Sequence, residues 1–272
     1  MTPHPLLLRY LDRLDQCPGQ ALTDTFVQAI TELQRSASPP DTRPLHTLPI
    51  AAAGRAVARQ VATETANPYH NAQHAAEVLW AGVALFQAEN TARAQTRQPA
   101  LPIDDGLLLL TALVGHDLAH PGTAPGSGPG VGVIEAHSAA LVNDILGRYG
   151  VPDDRRAQVC HVIESTEPSR AVPAARQAYL DHPIAAHLLA VLAAEADVLA
   201  SALPWTGVTR GERLAAEWRG QAPELAGKLC SQEGRVGFLQ GLAWVSPAAQ
   251  HLAIAVWVSK DHGQGAERPQ AA

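Results

Sequence analysis

An all-α fold, a compact bundle of many helices, is predicted by three features of this 272-residue sequence. Apolar positions recur every three or four residues along most of the chain, the spacing of one helix face. The apolar runs are built from Ala and Leu, and aromatics make up only 4% of the residues against 46% hydrophobic overall, so the side chains that strands favour are scarce. No two alternating runs are joined by a hairpin turn, and no internal repeat is visible.

The helices are expected in order at 3–16, 21–37, 50–65, 71–96, 106–119, 133–149, 153–165, 183–203, 208–226 and 233–258. Pro18-Gly19 and the SPPDTRP stretch separate the first two from the rest. Asn67-Pro68 precedes the fourth, which places His70 at a helix start. Asp104 and Asp105 are N-cap candidates for the fifth, which Pro121-Gly122 stops. A flexible GTAPGSGPGVG loop follows, Gly150 and Pro152 end the sixth helix, and Pro247 kinks the last. The chain divides into a helical lead-in at 1–45, a main domain at 46–262 and a disordered tail at 263–272.

The net charge of −6, with no long Lys/Arg run, leaves no electrostatic footprint for nucleic acid or an anionic membrane, so a small ligand is the expected partner. Cys17, Cys160 and Cys230 are odd in number and widely spaced, which fits a reducing cytoplasm. The N-terminus lacks the basic and long apolar regions of a signal peptide. The longest apolar run, 184–203, is interrupted by His187, Glu195 and Asp197 at helical spacing, as in a core helix rather than a membrane span. The N-terminal helices have two uses open to them, packing on the core or joining two copies as a homodimer.

Three stretches carry chemistry. In NPYHNAQHA, His70 and His74 stand four residues apart, so both imidazoles lie on one face of a helix, a spacing suited to metal. In LVGHDLAHPGT, His116 and Asp117 end the most apolar helix, where a charged carboxylate must be paired or bind metal. An adjacent His-Asp pair offers one nitrogen and one oxygen ligand, with oxygen left to bridge a second cation. In the third, Glu195-Ala-Asp197 puts carboxylates amid IAAHLLAVLAA, on a face that looks inward.

The strings YHNAQHA, HDLAHPGT, VIEAH and ADV, in this order between about Asn67 and Phe238, resemble those of class I cyclic-nucleotide phosphodiesterases, a branch of the HD-domain phosphohydrolases. The resemblance implies an all-α bundle of the HD/phosphodiesterase type and a tightly held metal, usually Zn²⁺, on His74, His116, Asp117 and Asp197. A second ion, usually Mg²⁺ or Mn²⁺, would share Asp117 and otherwise hold water. His70 takes the place of the general acid, while His120, Glu135 and Thr166 match positions that hydrogen-bond the waters of the second ion. Hydroxide bridging two such ions would attack phosphorus, and a cyclic nucleotide would open to its 5'-monophosphate.

The pattern departs from the family toward the substrate. Purine-specific members carry a glutamine shortly before a phenylalanine that stacks on the base. Here Phe238 keeps the aromatic and Arg235 stands where the glutamine would be, offering donors but no acceptor. Ala200 replaces a common asparagine, and the loop after Thr123 is altered. Arg235 either clamps a phosphate or carboxylate of the substrate or faces solvent. The alternatives to a cyclic-nucleotide phosphodiesterase are a phosphohydrolase of another phosphate ester and a non-catalytic metal-binding sensor or scaffold.

Overall fold

The computed structural model describes residues 2–37, 41–64, 67–124, 127–128, 130–241 and 244–260; the tail expected at 263–272 lies outside them. All regular structure among the described residues is helical, in fourteen α-helices and one short 3-10 turn. In order they are α1 (Pro5–Gln16), α2 (Leu22–Ser36), α3 (Pro49–Val61), α4 (Ala72–Gln95), α5 (Ile103–Gly115), α6 (Val133–Arg148) and α7 (Asp153–Glu164). The second half of the chain adds α8 (Ala171–Asp181), α9 (Ala185–Ala202), α10 (Gly207–Trp218), α11 (Pro223–Cys230), α12 (Gln232–Gly241), α13 (Pro247–His251) and α14 (Ile254–Val258).

The centre of the bundle is α4, α5 and α9, which pack on one another. In α5 every residue from Gly106 to Gly115 is buried, so this helix is enclosed on all sides. Close approach is bought with small residues: a Cβ at Gly82 would sit 2.3 Å from Leu113 Cδ1, and one at Gly115 would meet Val142 at 2.5 Å. The lead-in helices take up the first of their two open uses. Leu7, Leu11, Phe26, Ile30 and Leu33 belong to the same core cluster as α4 and α5. The helix at Ala185–Ala202 is the one described helix long and apolar enough to cross a membrane; two-thirds of it is buried in the protein, packed on α4, α5, α7 and α8.

Several expected boundaries are corrected. Helix α5 begins at Ile103 with Pro102 at its cap, so Asp104 and Asp105 lie in its first turn, where carboxylates meet the positive helix end without capping it. The segment 208–226 is two helices, because Pro223 starts a new one. The segment 233–258 is three, with Ser246 capping α13 immediately before Pro247. Helix α8 was not expected, its Pro173 being compatible with a first turn.

Glu195 shares α9 with Asp197 but points elsewhere. It accepts from Val245 N at 2.9 Å, Ser246 N at 3.0 Å and the Ser246 hydroxyl, tying α9 to the start of α13. Burial pushes its carboxyl up to about 7, against these three donors. A carboxyl raised in the folded state contributes stability that is present below its ordinary value near 4.5 and lost as pH rises through about 7. Glu195→Gln keeps the shape and removes the charge. Urea unfolding is expected to show a wild type that weakens between pH 5 and 8, by at most about 3 kcal/mol, and a variant that lacks this part of the slope. Identical slopes would refute the assignment.

Candidate metal centre

His74, His116, Asp117 and Asp197 meet although they come from three separate stretches. Asn71 caps α4, its side chain accepting from Gln73 N at 2.9 Å and His74 N at 3.2 Å, so that His74 projects from the first turn. His116 is the cap residue that ends α5, Asp117 follows it, and Asp197 comes from the middle of α9. The donor atoms alternate around a small ring. His74 Nε2 lies 3.0 Å from Asp197 Oδ1 and 3.3 Å from Asp117 Oδ2, and His116 Nε2 lies 3.1 Å from Asp117 Oδ2 and 3.3 Å from Asp197 Oδ1.

These residues fit a cation. Nitrogen and oxygen ligands about 2.0–2.2 Å from one ion, at tetrahedral or octahedral angles, stand roughly 3.0–3.5 Å apart. His116 Nδ1 donates to Leu113 O at 2.7 Å, which fixes the tautomer and leaves a lone pair on Nε2. His116 Nε2 and Asp117 Oδ2 are buried and close, yet neither has a hydrogen-bond partner, so their alignment is that of co-ligands. The histidine rings are almost fully buried, while the two carboxylates keep a fifth to a quarter of their surface exposed, leaving one face open.

Protons compete for the same ring. Burial lowers His74, but the two facing carboxylates overcome it and raise the imidazole to about 9; His116 is likewise raised. Burial opposes charge on Asp117 and Asp197, yet the imidazoles hold both below the ordinary carboxylate range.

A second group, His70, Asp117 and His120, adjoins the first through Asp117, whose Oδ2 faces both His74 and His116. His70 precedes the α4 cap and stacks on His120, with ring centroids 3.8 Å apart and planes 24° from parallel. His70 Nδ1 is hydrogen-bonded to Glu217 Oε1, and Glu217 Oε2 accepts from Tyr69 N at 2.8 Å and His70 N at 3.0 Å. The carboxylate thus fixes both the ring and the backbone bearing it. His120 Nδ1 accepts from Gly122 N at 3.0 Å, which puts the ring proton on Nε2 and makes His120 a donor, not a ligand. Burial pushes His120 down to about 4, keeping it neutral. The intervening backbone is strained: Ala119 has φ +62°, and the Glu64 carboxylate accepts its N–H through both oxygens at 3.0 and 2.9 Å.

Glu135 stands in the first turn of α6, half-buried, its carboxyl raised by burial with the charges of Glu167, Asp117 and Asp197 adding to the shift. Thr166 is buried at the end of α7, where its hydroxyl donates to Ile163 O at 2.8 Å and keeps its lone pairs. Phe238 is 40% exposed on α12. Arg235 does not face solvent. It is buried, its Nη1 donates to Leu229 O of α11 at 3.1 Å, and its methylenes lie against Gly211 of α10, where a Cβ would be 2.7 Å from Cδ. The side chain thus braces α12 on both helices. Ala200 is buried one turn beyond Asp197.

Glu217, Glu64 and Gln221 escaped the sequence reading. Gln221 holds the loop after His120, accepting from Ala124 N and donating to Gly122 O, both at 3.1 Å. The only signal was polar spacing on α10, which reads equally as a solvated face.

The fold is that of phosphodiesterase domains. By sequence, no family model and no curated protein matches the chain. By structure, the phosphodiesterase domain of the RhoPDE fusion protein from the choanoflagellate Salpingoeca rosetta superposes with a TM-score of 0.61 at 20% identity, over 88% of this chain and 85% of that one. The phosphodiesterase domain of Salpingoeca rosetta rhodopsin phosphodiesterase gives 0.59 at 18% identity, over 89% and 84%. Yeast caPDE2 gives 0.57 at 16% identity, over 87% of this chain and 61% of its own.

Proposed function

We propose that the protein is a metal-dependent phosphodiesterase that hydrolyses a 3',5'-cyclic nucleotide to the nucleoside 5'-monophosphate. The observation that carries this reading is a ring of two imidazoles and two carboxylates with an open face, set beside an imidazole that is held by a carboxylate and does not belong to the ring. A structural ion has no use for a positioned proton donor.

His74, His116, Asp117 and Asp197 would hold the tighter ion, Zn²⁺, and Asp117 would share a second, Mg²⁺ or Mn²⁺. When bound, two such cations supply a water acidified toward neutrality and positive charge against the phosphoryl oxygens. The chain does the rest. Glu217 holds the Nδ1 proton of His70, so Nε2 is the atom that protonates the leaving ester oxygen. His120, neutral with its proton on Nε2, donates to an acceptor on the open face. Water adds to phosphorus, the bond to the 3' oxygen breaks, and that oxygen leaves as an alcohol.

Arg235 spent on bracing and Ala200 in place of an amide leave no donor-acceptor pair at the matching positions, which favours weak selection among bases. Three free thiols suit a reducing cytoplasm. The test is elemental analysis of the purified protein, then turnover on cyclic AMP, cyclic GMP, the pyrimidine analogues and a panel of phosphate monoesters and diesters, with Mg²⁺ or Mn²⁺. Expected are bound transition metal, release of 5'-monophosphate from several bases at comparable rates, and loss of activity on chelation. Turnover of the other esters alone would move the assignment to another phosphohydrolase, and a metal-loaded protein inert to all of them would overturn it.

A further inference from the structure

Helix α10 carries Glu217, yet it is poorly anchored by apolar contact. Its Leu214, Ala215 and Trp218 pack in a satellite cluster with Ala124, Ala226 and Leu229, apart from the main core. It packs on α9 and α11, and what joins it to α4 beneath the site is a buried ion pair. Arg210 Nη2 donates to Glu77 Oε1 at 2.7 Å and Nε donates to Oε2 at 3.2 Å, a two-point contact. The side chains are only 11% and 3% exposed.

Both partners stand in register with the site. Glu77 lies one turn after His74 on α4, and its Oε1 also accepts from Gln73 Nε2 at 3.0 Å. Arg210 lies two turns before Glu217 on one face of α10. The pair therefore ties the helix that bears His74 to the helix that orients His70. A buried ion pair contributes little net stability relative to an apolar pair of equal volume; its best-attested use is to fix register.

We propose that Arg210, through Glu77, is a positioning residue for His70: it sets the height of α10 on α4 so that Glu217 meets His70 Nδ1. The proposal rests on the reading of His70 as a proton donor, but its main test needs no substrate.

An imidazole Nδ1–H donated to a carboxylate gives a far-downfield proton NMR resonance, which ¹⁵N-histidine labelling and His70→Gln would assign in the metal-loaded full chain. The resonance is expected in the wild type and in part in Arg210→Lys, and to be lost or moved upfield in Glu217→Gln and Arg210→Met. The double variant Glu77→Gln/Arg210→Met leaves no unpaired buried charge, so it is expected to regain thermal stability without regaining the resonance. Where the wild type turns over a substrate, kcat of the double variant is expected to fall roughly ten- to hundredfold with KM and metal content unchanged. Should Arg210→Met fail to fold, the double variant and Arg210→Lys carry the comparison. A double variant with both resonance and kcat intact would overturn the proposal, as would a wild type lacking the resonance. Absence of turnover with the resonance behaving as described would sink the enzymatic reading and leave the positioning intact.

Discussion

Asp197→Asn is expected to empty the centre of its tightly held ion and to abolish measurable hydrolysis, while the helical fold remains. The substitution keeps the volume of the side chain and removes one of two negative charges facing two imidazoles. Deleting one partner from a buried charged set costs about 3–5 kcal/mol, which is roughly 10²- to 10⁴-fold in metal affinity. In the metal-free chain Asp197 is also what keeps a proton on His74, which the two carboxylates together raise to about 9. Metal must displace that proton, so wild-type affinity is expected to rise with pH until about 9 and to fall below it, with protons released on binding. In Asp197→Asn the imidazoles lose a counter-charge and are neutral over more of that range, so the variant is expected to bind more weakly and with less pH dependence. Calorimetry in buffers of different ionisation enthalpy reads both quantities. Metal content and proton release equal to wild type would remove Asp197 from the ligand set.

The two carboxylates of the cluster were legible because each interrupts an apolar stretch. Asp117 ends a helix buried on all sides, and Asp197 interrupts an Ala- and Leu-rich run, so the apolar context itself asked for a compensating ion. Glu217 was not legible, because on its own helix it resembles any carboxylate of a solvated face; only the fold brings it across to Tyr69 and His70, nearly 150 residues away in the chain. The burial of Arg235 was equally illegible, because it depends on Gly211 leaving room for its methylenes, a fact of packing between helices.

The same asymmetry accounts for a fold shared at 16–20% identity with no family model matching the sequence. A helical core accepts any apolar residues of suitable volume and pattern. Helix boundaries were partly missed where a proline serves either as a kink or as a first turn. Pro223 and Pro247 both begin helices here, the second behind a side-chain cap from Ser246 and the first with none.

His70→Ala should leave metal content unchanged and lower kcat on a cyclic nucleotide by about 10²- to 10⁴-fold, the range of a positioned general acid. His70 is outside the ring of four ligands, and its Nδ1 is engaged by Glu217, so its removal takes away a proton and no ligand of the tighter ion. The size of the loss depends on the leaving group. A ribose 3' oxygen is a poor leaving group unless protonated as the bond breaks, whereas a nitrophenolate leaves readily as the anion. Hydrolysis of bis(p-nitrophenyl) phosphate is therefore expected to fall far less than that of the cyclic nucleotide, and KM for either should change little. Glu217→Gln keeps an acceptor for the Nδ1 proton but loosens the two-sided hold on the ring and its backbone, so a smaller loss, roughly ten- to hundredfold, is expected with the same dependence on leaving group. Equal losses on both substrates in His70→Ala would mean that His70 acts before bond cleavage, in binding or in holding the second ion, and the proton would have to come from elsewhere.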